Sequence, residues 1–275
     1  VFLINKGKMS IESAGDIYKL DSTGSTKIFP PKPFMDHLNV FKLYLRDSNF
    51  EPDFVASMKQ FETLYNPIRG NSDYDGIIAL DTHVLVEAMK ILGPLPAYGT
   101  NFTVEPDKRC DGCPSVIYEL EDIVGRRVGY IREDRKDIIG VLLYQIMQKA
   151  LGVSPGKYWG QLFQMALSEA EQKHVLVYLH DQKAQTGVES LNMAGRIKDF
   201  NGDYLHVNDA NLGGAKANMF VTQTVKQDYQ IGSDGSIVKT ITIEYKNPQP
   251  GSPGCNLETG GVCLNGIMPN WLRIY

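Results

Sequence analysis

Gly76-Ile77-Ile78-Ala79-Leu80, entered by Tyr74-Asp75 and left by Asp81-Thr82, is the stretch on which the fold turns. The apolar run is too short for a helix and suits a buried strand. Asp81 or Thr82 stands where the N-cap of a following helix belongs. Val84 to Leu92 then keeps helical spacing until Gly93-Pro94, a pair that stops helices. A strand running straight into a capped helix is the building unit of an α/β fold.

Upstream, Phe54, Val55, Met58, Phe61, Leu64 and Tyr65 recur at helical spacing and predict a helix over Asp53 to Tyr65. Phe29-Pro30-Pro31-Lys32-Pro33-Phe34 predicts an extended loop, because proline removes donors and biases its neighbours away from the helical region. Val1 to Ile4 predicts a strand, and Met9 to Leu20 a second strand and its exit. Downstream, Leu95 to Pro114 reads as loop. Helices follow over Ser115 to Asp122 and Arg132 to Leu151, and a third opens at Ser154-Pro155 with Trp159, Leu162, Phe163 and Ala166 on its apolar face. His174 to His180 predicts a strand and Gln182 to Met193 a short helix.

From Asp203 the pattern turns β-rich. Tyr204 to Val207 is followed by two alternating runs, Met219 to Ile231 and Ile237 to Tyr245, joined through Gly232-Ser233-Asp234-Gly235, a hairpin signal. The expected architecture is an α/β domain over 1–198, with a mixed sheet carrying helices on its faces, and a smaller β-rich module over 199–275 with a long hairpin.

The composition is that of a globular chain able to bury a core: 275 residues, 43% hydrophobic and 22% charged. A net charge of −4 excludes the dense basic surface that neutralises a nucleic-acid backbone, so no nucleic-acid partner is expected. No apolar run approaches the ~18 residues that span a bilayer. The chain opens on Val1-Phe2-Leu3-Ile4 and closes on Trp271-Leu272-Arg273-Ile274-Tyr275, both apolar runs. Both ends therefore read as interior to a longer protein, with any membrane anchor expected upstream.

Four cysteines fall as two close pairs, Cys110 with Cys113 and Cys255 with Cys263. Even pairing favours two local disulfides and a compartment outside the cytoplasm. Zinc ligation by the Cys110-Asp111-Gly112-Cys113 spacing is the competing reading; the unequal second spacing and the lack of a neighbouring His speak against it.

Asp47-Ser48-Asn49-Phe50-Glu51-Pro52-Asp53-Phe54, Asp75 to Asp81, Gly93-Pro94-Leu95 and Asn208-Asp209-Ala210-Asn211 with Lys216 and Asn218 resemble, in order and spacing, the bacterial family called domain of unknown function 4012. That resemblance implies an extracytoplasmic cell-envelope or cell-surface region behind an N-terminal membrane segment. The layout is also distantly similar to the LytR-CpsA-Psr family, which transfers polyprenyl-phosphate-linked glycopolymers to the bacterial cell wall. Arg132 and Arg135 stand at that family's Arg-x-x-Arg positions, followed by Lys136. The resemblance implies arginines holding phosphate oxygens and, if transfer occurs, Mg²⁺ on Asp side chains.

The candidate phosphate-binding residues are thus Arg126, Arg127, Arg132 and Arg135, with Arg46 and Asp47 before the first long helix. The arginine cluster equally suits solvated cations paired with Glu133, Asp134 and Asp137, and Asp47 equally suits a loop-stabilising carboxylate. Asp81 most simply caps a helix. The histidines His37, His83, His174, His180 and His206 lack the i, i+4 spacing of a helical zinc pair, and no metal site is expected from them. No catalytic residue is assigned, since no Gly-x-Ser-x-Gly elbow is present. The expected function is binding, with transfer as an extension, of a phosphate-bearing polyprenyl lipid or glycopolymer in the cell envelope. The alternative is a non-catalytic surface or scaffold protein that meets a protein partner through its β-rich module.

Overall fold

The computed structural model describes the chain except residues 7, 12, 14, 16, 26, 70–72, 98, 111, 126–136, 153, 154, 214 and 249–263. Strands β1 (Phe2–Asn5) and β2 (Lys8–Ile11) pair as a hairpin and lead into helices α1 (Ile17–Thr23), α2 (Lys32–Leu38) and α3 (Phe54–Arg69). Strand β3 (Gly76–Leu80) runs into α4 (Thr82–Leu92), followed by β4 (Leu95–Ala97), β5 (Thr100–Phe102), β6 (Pro106–Asp107) and β7 (Cys113–Pro114). Helices α5 (Ser115–Gly125), α6 (Asp137–Gly152) and α7 (Pro155–Glu171) precede β8 (Val175–Leu179) and α8 (Gln182–Ser190). The chain ends with β9 (Val207–Asn211), the ribbon β10 (Thr222–Ile231) and β11 (Ile237–Lys246), and β12 (Asn270–Ile274).

The fold is a mixture of helices and small antiparallel sheets, not the expected mixed sheet. Among the described residues every sheet has two strands, and β3 pairs antiparallel with β8 from Gly76 opposite Leu179 to Leu80 opposite Val175. The physical reason lies in burial. A strand inside a parallel or mixed sheet is covered on both faces, whereas Ile78 is 62% and Leu80 54% exposed, so one face of β3 is open.

Local signals explain most element ends. The Asp81 carboxylate accepts from His83 N–H at 2.9 Å and caps α4, and Gly93 ends that helix at φ 79° with its N–H on Met89 O at 2.7 Å. The expected loop over 29–34 is corrected: Lys32, Pro33 and Phe34 already belong to α2. Proline is tolerated there because the first-turn N–H groups have no acceptor inside a helix. The strand expected from Met9 ends at Ile11, and its exit toward Leu20 enters α1 at Ile17. The expected loop over 95–114 contains β4 to β7, whose hairpins are too short for alternation to show.

The largest core joins Val86 and Met89 of α4, Leu95, Ala97 and Phe102 of β4 and β5, Val116 and Leu120 of α5, and Leu142 of α6. A second packs Phe54, Val55 and Met58 of α3 against Tyr178 of β8 and Ala194. A third holds Leu43 and Leu45 against Leu64. Among the described residues no helix is long and apolar enough to cross a membrane.

Candidate functional site

Three stretches far apart in sequence meet in a groove of about 510 Å³: the turn Arg46 to Phe54, the end of β3 at Ala79 to Asp81 with Lys173, His174 and Leu176, and β9 with Arg273 of β12. The first, second and last of the segments that carry the family resemblance therefore share one surface. The fold brings them together through the C-terminal strand. Trp271 of β12 packs edge-on against Phe34 and tilted against Phe50, both with centroids 5.9 Å away. Arg273 crosses to the same turn, donating from Nη2 to Phe50 O and to Asn208 Oδ1, with its guanidinium 4.2 Å from the Trp271 ring centroid.

The Arg46 wall is held from below by Asp21. That buried carboxylate accepts from Leu45 N–H at 2.6 Å and from Arg46 Nη1 at 2.9 Å. The Arg46 guanidinium also lies 4.0 Å from the Tyr44 centroid and 4.7 Å from that of Tyr18, a cation–π arrangement that fixes its plane. Asp209 forms the opposite wall. Its Oδ1 accepts from Tyr245 O–H at 2.5 Å and Asn270 Nδ2 at 2.6 Å, and its Oδ2 from Gln223 Nε2 at 2.6 Å. Burial, followed by the bond to Asp209, pushes the Tyr245 phenol above its usual range, so it stays a donor. Asn211 donates to Ala215 O at 3.2 Å and Asn218 Oδ1 at 2.7 Å, and Lys216 pairs with Glu121 at 2.8 Å.

Asp47 is the exceptional member. Its Oδ2 is buried without a hydrogen-bond partner, and Arg273 Nε is in the same state. Burial pushes the Asp47 carboxyl above the ordinary range; neighbouring Arg46 pulls it down, and Asp21 adds to the rise. A carboxyl whose folded pKa exceeds its unfolded one stabilises the fold at low pH and loses that contribution as pH rises through the folded value. Asp47→Asn should therefore raise the melting temperature at pH 7, and the gain should vanish below about pH 4, where the wild-type group is protonated in both states. A gain that stays constant across that range in a pH series of thermal melts would contradict this account.

The formal charge of the groove is three cations, Arg46, Lys173 and Arg273, against four carboxylates, Asp47, Glu51, Asp81 and Asp209. Each cation already has protein acceptors; the Lys173 ammonium donates to Asn192 O at 2.6 Å and Glu171 O at 3.3 Å. The groove therefore offers carboxylate and amide acceptors, not free positive charge. The implied Mg²⁺ does not suit Asp209, because three N–H and O–H donors point their protons at its oxygens and would face the cation.

Of the sequence-derived candidates, Arg46 and Asp47 line the groove. Arg126, Arg127, Arg132 and Arg135 lie outside the described residues, as do Cys255 and Cys263. Cys110 and Cys113 form a disulfide. Arg273, Asp209 and His174 are groove residues to which no site role was assigned from sequence. Asp209 stands in the Asn208-Asp209-Ala210-Asn211 motif that carries the resemblance, and the alternation of Trp271 and Arg273 on one strand face is the signal for Arg273.

No curated protein and no solved structure matches the chain. The family match ends at residue 108 and so includes the Asp47 turn and β3 but not the Asn208 to Asn218 motifs. Over residues 1–108 the chain is similar to the family described as protein of unknown function (DUF4012).

Proposed function

We propose that the chain binds a segment of an extracytoplasmic glycopolymer in the groove between Arg46 and Asp209. The observation that carries the reading is the groove's lining: carboxylates and the amides Asn49, Asn208 and Asn211 beside Phe34 and Phe50, with its cations already bonded. Sugar hydroxyls donate to carboxylate and amide oxygens, and the apolar face of a sugar ring fits an aromatic edge. A phosphate group would meet a net negative wall, so the saccharide part of the expected ligand is favoured over its lipid phosphate. From the LytR-CpsA-Psr resemblance the proposal takes only the substrate class. The Cys110–Cys113 disulfide supports placement in an oxidising compartment, and hence in the cell envelope or at the cell surface.

Calorimetric titration with chitotetraose as a neutral probe and a glycerol-phosphate oligomer as an anionic one tests the proposal. Chitotetraose should bind with little salt dependence. Asn49→Trp, which fills the groove from an exposed position, should weaken binding at least tenfold with an unchanged melting temperature. Binding of the polyanion alone, falling steeply with salt, would instead favour phosphate recognition. Binding of neither probe would remove the reading.

The alternative of a protein partner has its own observation. The β10–β11 ribbon is exposed along β10, and its end presents Ile231, Ile237 and Val238 at 76%, 63% and 57% exposure. An isolated two-stranded ribbon is marginally stable in water, so this end is where a partner would dock under that reading.

A further inference from the structure

His83 and His174 lie face to face where α4 begins and α7 ends, with ring centroids 4.0 Å apart and planes within 16°. Backbone bonds fix His174, with Asp81 N–H donating to His174 O at 3.2 Å and His174 N–H to Glu169 O at 2.8 Å, and His83 N–H donates to the Asp81 carboxylate at 2.9 Å. Three carboxylates surround the rings. Glu169 Oε2 is 2.7 Å from His83 Nδ1, Asp81 Oδ2 is 2.6 Å from His174 Nδ1, and Glu87 Oε1 is 3.7 Å from His83 Nε2. Glu169 is only 2% exposed, a carboxylate taken almost wholly out of water.

We infer that His83, Glu169 and His174 form a binding site for a divalent transition ion of the zinc class. One ligand atom from each lies within 4.8 Å of the other two. Two imidazoles and one carboxylate are a zinc donor set that leaves a fourth position for water or a ligand. Asp81 holds His174 at Nδ1 and so leaves Nε2 as the metal-facing nitrogen, the carboxylate–histidine arrangement that orients such ligands.

One dication between His83, Glu169 and His174 would lie against the Glu169 carboxylate, which is almost wholly out of water. Seating it requires His83 Nδ1 and Glu169 Oε2, now 2.7 Å apart, to separate by about half an ångström around an ion ~2 Å from each. One ring must also turn out of the stack. His174 and Asp81 both line the groove, so the ion would sit at its edge. The inference does not depend on what the groove binds.

The test is a titration of the chelator-stripped full chain with ZnCl₂ by calorimetry and with CoCl₂ by visible absorption. One Zn²⁺ per chain, a melting temperature that climbs with the logarithm of zinc concentration, and the intense bands of four-coordinate Co²⁺ are the expected results. His174→Gln should weaken binding at least tenfold. Asp81→Asn, which still caps α4, should weaken it about 10–100-fold as a positioning change. His37→Ala, on α2, should leave it unchanged. Absence of stoichiometric uptake by the wild-type chain overturns the inference, and so does uptake that survives in the His83→Gln, His174→Gln double variant.

Discussion

Phe102→Ala is expected to cost about 3–5 kcal/mol, a large part of the about 5–15 kcal/mol that holds a domain together. Phe102 is 2% exposed in the main core, where β5 sets it opposite Leu95 of β4. Met89, Val116, Leu120 and Leu142 close the space from three helices. These neighbours cannot collapse into the cavity, because their elements are pinned. Val116 N–H donates to Thr103 O at 2.9 Å, and the Lys149 ammonium of α6 reaches Pro94 O at 2.8 Å. The result should therefore fall in the upper part of that range, visible as a lower urea midpoint at unchanged slope and a fall in melting temperature of about 10 °C. Phe29→Ala is the control: the same side chain at 83% exposure should change stability by no more than about 0.5 kcal/mol. Equal costs at the two positions would mean that this core is not what holds the helices together.

What the sequence discloses and what it hides divide by distance along the chain. Asp81 as a cap, Gly93-Pro94 as a stop and Pro155 as the first residue of α7 are local effects, set by a donor, a φ angle and a ring. The partner of β3 is not local: β8 begins at Val175, and no pattern within either strand names the other. The same holds for the site. Arg46 and Asp47 were legible because an adjacent cation and anion before a helix are unusual enough to notice. Asp209 and Arg273 were not, since their importance comes from β9 and β12 closing on the Phe50 turn. His83 and Glu169 are 86 positions apart, and His174 and Asp81 are 93 apart, so a search for helical i, i+4 ligands could not see them. Paired strands and packed helices, α4 against α7, supply that juxtaposition.

Gly76→Ala should destabilise the chain by about 3 kcal/mol or more, by forcing apart the one ladder that positions both the groove edge and the histidine pair. A Cβ at Gly76 would overlap the Tyr178 carbonyl oxygen and lie 2.9 Å from Leu179 Cα. Both are backbone atoms of β8, so no side-chain rotation relieves the contact; either the strands separate or β3 shifts. A shift is resisted at the far end, where Asp81 N–H bonds His174 O at 3.2 Å and continues the ladder beyond Leu80 and Val175. Small residues inside strands often mark such close approaches. Gly160→Ala gives the opposite sign. Gly160 lies within α7 with nothing inside 4 Å of its would-be Cβ, so the added methyl should stabilise by about 0.5–1 kcal/mol through helix propensity alone. Urea denaturation of the two variants reads both effects. Zinc uptake by folded Gly76→Ala then separates the two ways of relieving the clash. Loss of uptake means that β3 and β8 have parted and taken Asp81 from His174; retained uptake means that the clash was absorbed near Gly76 and the ladder end was kept.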